Sequence, residues 1–147
     1  MISATIYNSL VSTLQNNPTL KGYIKYVFKG LRYDLEPEAL PCLMVEPTQN
    51  NEIEKDMNQF KNVWLDVDIV AFSYNVADVN KAIVGDEMYR GILDIENDIR
   101  ACLTSSNTLG DKVIDIQLNP TVFGYKEYPI RGLTIPARIL YRQNNSI

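Results

Sequence analysis

The chain has 147 residues, 46% of them apolar and 22% charged, a balance that fits one globular domain burying about 70% of its unfolded surface. A net charge of −4 with scattered basic residues argues against a protein that wraps nucleic acid by neutralising phosphates, and no apolar run nears the roughly 20 residues that span a bilayer. The N-terminal MISATIYNSLVSTLQ lacks the basic start, apolar centre and small-residue cleavage site of a secretory signal, so the chain is expected to stay where it is made, with no membrane partner.

From Ile2 to about Gln15, Ile2, Ile6, Leu10 and Leu14 recur at steps of four with Tyr7 and Val11 beside them. They form one face of a helix that Asn16, Asn17 and Pro18 end. Tyr23 to Lys29 alternates Ile24, Tyr26 and Phe28 against Lys25 and Lys29, the period of a half-buried strand bracketed by Gly22 and Gly30. Cys42 to Glu46 is a short apolar strand between Pro41 and Pro47. Free cysteine behaves as a small hydrophobe, so Cys42 and Cys102, the latter on the apolar side of a later helix, are expected to be buried thiols.

Thr48 to Asn62 is a long polar excursion in which Glu52, Glu54, Lys55, Asp56 and Lys61 surround Ile53, Met57 and Phe60. A disordered tip would fit its polarity. Three large apolar side chains among charges instead suit a hairpin arm, over about residues 48–62, that docks on something. The strand after it is the clearest in the chain: Val63, Leu65, Val67, Ile69 and Ala71 share one face, and Trp64, Asp66, Asp68, Val70 and Phe72 the other. A large aromatic such as Trp64 opposite the core face implies a second packed layer or a partner.

A helical segment runs from about Asp78, an N-cap residue type, to Leu103, with Met88, Ile92, Ile95, Ile99 and Cys102 on its apolar side. Asp86 and Arg90, and Glu96 and Arg100, are i,i+4 pairs that solvate the outer side. Gly85 and Gly91 each cost about 1 kcal/mol inside a helix, so either the helix begins near Asp86 or these glycines admit another backbone. Val113 to Leu118 and Leu133 to Tyr141 then alternate as two more strands, and Pro136 places the last at a sheet edge or a bulge. Between them Asn119 to Arg131 (NPTVFGYKEYPIR) reads as a loop in which Phe123, Tyr125 and Tyr128 either pack on their own core or meet a neighbour. The order implies a single α+β domain over 1–147, a mainly antiparallel sheet of about four to five strands with two helices on one face.

Chemistry is sparse. The sequence has no histidine, which removes the commonest general base and metal ligand, and it has no GxxxxGK[ST], GxGxxG or CxxC. No catalytic, metal or cofactor site is expected, and no enzyme. Asp66 and Asp68, at i,i+2 on one strand face, could in principle bind a cation or act as an acid–base pair. A solvated outer face, a subunit contact or an acidic wall are the plainer possibilities.

Taken in order, the N-terminal helix, LPCLMVEP, the polar excursion, VWLDVDIVAF, the helix ending IENDIRACL and the strand LTIPARILYR resemble the phage tail terminator and tail-completion proteins over nearly the whole chain. The resemblance implies a virion (tail or neck) protein assembled in the host cytoplasm, forming a homohexameric ring. Such a ring caps the tail tube protein, stops its polymerisation and offers a surface to the head-connector or neck protein. It also implies no cofactor and no specific DNA binding, DNA only passing through the lumen. Asp66 and Asp68 are possible lumen-lining residues, where carboxylates would repel phosphates. Ile53, Met57, Phe60, Trp64, Phe123, Tyr125 and Tyr128 are the candidate contacts with a neighbouring subunit or partner. Another neck, head-completion or adaptor ring below the portal, or a small intracellular ligand-binding module with a pocket between sheet and helix, are the alternatives.

Overall fold

A computed structural model of the chain describes residues 2–32, 34–55, 60–74, 79–86, 90–127 and 130–144. Helix α1 (Ile2–Asn16) buries Ile6, Leu10, Val11 and Leu14, the stripe set by the four-residue spacing. Asn17 ends it and starts the short α2 (Pro18–Lys21). Its side-chain oxygen accepts from the N–H groups of Thr19 and Leu20 at 3.1 Å each, and Pro18 fills the first helical position, where no N–H is needed.

The remaining elements are β1 (Tyr26–Lys29), a 3-10 turn (Pro37–Ala39), β2 (Cys42–Lys55), β3 (Phe60–Tyr74), α3 (Val79–Val84), α4 (Ile92–Ser105), β4 (Asp115–Leu118), β5 (Val122–Glu127) and β6 (Ile130–Asn144). The single helix expected over Asp78 to Leu103 is two. Gly91 caps α4, and a Cβ there would lie 2.3 Å from the Gly85 nitrogen and 2.4 Å from the Ile83 carbonyl oxygen, so the glycine admits the end of α3. Because the helix is interrupted, Arg90 has no helical register with Asp86 and bonds Asp98 instead, at 2.7 Å. Asp78 and Met88 lie outside the described residues.

The fold is α+β, with a six-stranded sheet in the order β1-β2-β3-β6-β4 and β5 also on β6. Only β1 and β2 run parallel; β2–β3, β3–β6, β4–β6 and β5–β6 are antiparallel. The strand count exceeds the expected four to five because the stretch read as a loop, Asn119 to Arg131, is mostly β5 and its turn into β6. Strands β4 and β5 occupy one lane along β6, facing Ala137–Leu140 and Ile130–Thr134 in turn. Pro136 is therefore in an interior strand, not at an edge. Its carbonyl accepts from the Asn119 N–H at 2.8 Å, and in a strand the nitrogen and carbonyl of one residue point the same way, so its missing donor faces the break between β4 and β5.

One face of the sheet carries the main core: Leu43, Val45, Val63, Leu65, Val67, Ile69, Ala71, Leu133, Ile135, Ala137, Ile139 and Tyr141 pack on α1 and α4. The opposite face has a small cluster of Leu40, Cys42 and Met44, flanked by Phe28, Val70 and Phe72. Strand β2 is thus apolar on both sides at its start, which explains its unbroken CLMV. Both thiols are free and buried, as expected, and burial pushes Cys42 up to about 11 and raises Cys102 as well. Asp98 on α4 is buried yet bonded twice, by the Tyr23 hydroxyl and the Arg90 guanidinium at 2.7 Å each.

Gly91→Ala is expected to lower stability by about 2 kcal/mol or more, because backbone and not a flexible side chain stands in the way. Gly124→Ala, with nothing within 4 Å, should change it by less than about 0.5 kcal/mol. Urea unfolding of the two variants checks the contrast.

Candidate assembly surface

Strand alternation places Trp64, Asp66, Asp68, Val70 and Phe72 on the sheet face away from the helices, where no helix covers them among the described residues. Across the ladder Asp66 stands opposite Arg138, Asp68 opposite Pro136, and Phe72 opposite Gly132. The Arg138 guanidinium donates to Asp66 at 2.9 Å and lies 4.6 Å from the Trp64 ring centroid, so indole, guanidinium and carboxylate form one stacked group. Asn51 approaches the same carboxylate at 3.5 Å, and Thr48 donates its hydroxyl to the Asp66 carbonyl at 3.1 Å.

Asp68 has a different surrounding. Its neighbour on β2 is Glu46, whose carboxylate accepts the Leu31 N–H at 3.0 Å, and neither acid forms an ion pair among the described residues. Burial first, then the Glu46 charge, raises the Asp68 carboxyl above the ordinary aspartate range. The two expected acids thus share a face but not a role: Asp66 is neutralised by Arg138, and the bare acidic pair is Asp68 with Glu46.

Toward the far end of this face an apolar cleft of about 470 Å³ opens among Met44, Val70, Phe72, Val122, Phe123 and Thr134. Gly132 leaves it room: a Cβ there would meet the Phe72 ring at 2.9 Å. Val122 and Phe123 are 64% and 47% exposed, too open for residues that merely close their own core.

The opposite end of the sheet holds the arm. The last buried rung on the helix side is Val63 with Tyr141; beyond it the ladder continues through Asn62–Arg142, Lys61–Gln143 and Phe60–Asn144, while β2 runs on to Lys55. The polar excursion is therefore mostly strand. Its first residues, to Asn51, pair alongside the core, and the part beyond Glu52 pairs with Asn62 and Lys61, past the last buried rung. Ile53, Phe60 and Tyr125 have their backbones in described strands, but their side chains lie outside the described residues, as do Met57 and Tyr128 entirely.

Sequence reasoning missed a basic strip. Lys21, Lys25, Lys29 and Arg32 are all exposed around β1, and the first 33 residues contain no acid, leaving ten basic against eighteen acidic residues in the rest. The signal was available as charge asymmetry along the chain, hidden by treating the basic residues as scattered.

No protein-family model matches this chain, and no curated protein matches it in sequence. A solved structure does match in fold: a chain described as belonging to the virion of a native gene transfer agent particle. The likeness covers 93% of this chain and 94% of that one, at a TM-score of 0.53 and 8% identity. At that identity the likeness is one of fold alone. No helix among the described residues is long and apolar enough to cross a membrane.

The raised Asp68 carboxyl means that the folded chain holds this proton more tightly than the unfolded chain. Its contribution to stability is present below the unfolded aspartate value and lost as pH rises through the folded one. Asp68→Asn should therefore raise the thermal midpoint by about 1 to 4 °C at neutral pH. The gain should shrink on acidification and vanish below about pH 4. Thermal melts across that interval check both the sign and the window.

Proposed function

We propose that this chain is a structural protein of a phage-like virion, and within that class a tail terminator. Its copies form a ring, sixfold in the simplest case, that caps the tail tube, stops its growth and presents a surface to the head connector. The observation that carries this is a fold shared end to end with a gene transfer agent virion chain, joined to an arm that leaves its own core behind. In this proposal the chain is not an enzyme. A ring needs unlike patches that meet from one copy to the next, and the arm is unlike the surfaces at the other end of the sheet. The bare Glu46 and Asp68 carboxylates suit a lumen through which DNA slides without being held. The arm, with Ile53, Met57 and Phe60, lies on the adjacent subunit, and Trp64, Phe123, Tyr125 and Tyr128 belong to the neighbour or partner contacts. A ligand-binding module would need a pocket between sheet and helices, and there Leu10, Leu14, Ile95 and Ile99 are fully buried against the sheet.

Electron microscopy of the purified protein, alone and with tail-tube subunits, is expected to show rings with an open centre. Replacing residues 53–62 by an Asn-Gly turn between the paired Glu52 and Val63 keeps the core and should abolish the rings. Solitary molecules under every condition would overturn the proposal, and unchanged ring mass in the shortened variant would remove the arm from it.

A further inference from the structure

Strand β1 is the edge of the sheet: β2 lies on one side and no strand on the other among the described residues. The Gly30 N–H donates to the Val45 carbonyl at 2.9 Å, so alternation turns the backbone groups of Tyr26 and Phe28 toward β2 and leaves those of Val27 and Lys29 facing the open side. Beside that edge a cleft of about 250 Å³ is lined by Leu20, Lys21, Ile24, Lys25, Tyr26 and Phe28. Lys21, Lys25 and Lys29 are exposed and form no ion pair among the described residues. Arg32 is already placed over the Phe28 ring, 4.3 Å from its centroid, and Tyr26 stacks on Phe28 at 5.4 Å. An open backbone edge, a cleft and a row of unpaired lysines together call for an extended, acidic strand.

A second open edge lies on the same chain. Strand β1 covers β2 only along Cys42–Val45, so from Pro47 to Lys55 the outer side of β2 is unpaired among the described residues. Residues 46–56 carry four carboxylates and one lysine, with Glu52 and Glu54 in the part beyond the core. The two edges cannot meet within one molecule: at about 3.3 Å per residue, Glu52 and Glu54 stand roughly 23 to 30 Å along β2 from the Val45 rung where β1 ends.

We propose that the free edge of β1 and its cleft receive the arm of a second copy of this chain, the open β2 edge of the arm adding to the sheet and Glu52 and Glu54 meeting the lysines. This rests on the self-assembly proposed above and says where the arm goes. The contact joins unlike edges, so it can pass from copy to copy, and it gives the ring proposed above where the rotation between copies closes. Nucleic acid is the poorer occupant: a phosphate-binding face uses some six to ten cationic contacts, and the strip offers three free lysines.

The test is a charge exchange read by sedimentation velocity and native mass spectrometry on the full chain. Lys25→Glu with Lys29→Glu, and separately Glu52→Lys with Glu54→Lys, should each weaken association at least tenfold with circular dichroism and thermal midpoint unchanged. The fourfold variant should recover most of it. Normal assembly of either double variant, or no recovery in the fourfold one, overturns the docking site while leaving ring formation intact. A wild-type chain that stays monomeric removes both. If the lysine variant assembles normally but loses retention of a DNA duplex at low salt, the strip is a nucleic-acid contact and the proposal fails.

Discussion

The arrangement depends on a mismatch between two kinds of cohesion. Backbone hydrogen bonds hold β3 to β6 over fifteen rungs, from Tyr74–Ile130 to Phe60–Asn144, whereas side-chain burial on the helix side stops at Val63 and Tyr141. Ladder bonds exchange for bonds to water at a net gain of only about 1 kcal/mol each, and strands without a covered apolar face are marginal by themselves. The three outermost rungs therefore stand to gain from any surface that covers them. The Asn62 side-chain oxygen, buried without a hydrogen-bond partner among the described residues, sits at this boundary.

The two faces of the sheet follow different rules. The inner face is a close-packed layer under α1 and α4, and Asp98 of α4, buried beside it, is held by Tyr23 and Arg90; burial first and then the Asp98 bond drive the Tyr23 hydroxyl pKa upward. That cluster ties the start of the β1 segment to α4 and to the chain just before it. The outer face is instead a mosaic of a neutral Trp64–Arg138–Asp66 stack, an unneutralised Glu46–Asp68 pair and an apolar cleft.

Much of the framework was legible in the amino-acid order. The i,i+4 stripe of α1, the ten-residue alternation of β3 and the two buried cysteines follow from period and polarity, which act locally. What stayed hidden depended on distant partners. Asn119 to Arg131 looked like a loop because its prolines and tyrosines punctuate it, yet β6 supplies a ladder that turns it into β5. Pro136 signalled an edge by a sound rule, and the interior position is tolerated only because the neighbouring lane breaks beside it. Gly91 held two meanings until the end of α3 was seen against it. Likewise nothing in the spacing of Asp66 and Asp68 revealed that Arg138 would neutralise one and Glu46 would crowd the other.

Arg100 reaches from α4 to the corner that separates β4 from β5, donating to the Asn119 carbonyl and the Thr121 hydroxyl at 2.7 Å each while Glu96 steadies it from the same helix. A rod of the inner layer is thereby bolted to the joint of the outermost lane. Tension applied to the β5 hairpin would be handed to the interior of the molecule instead of peeling one strand from the border.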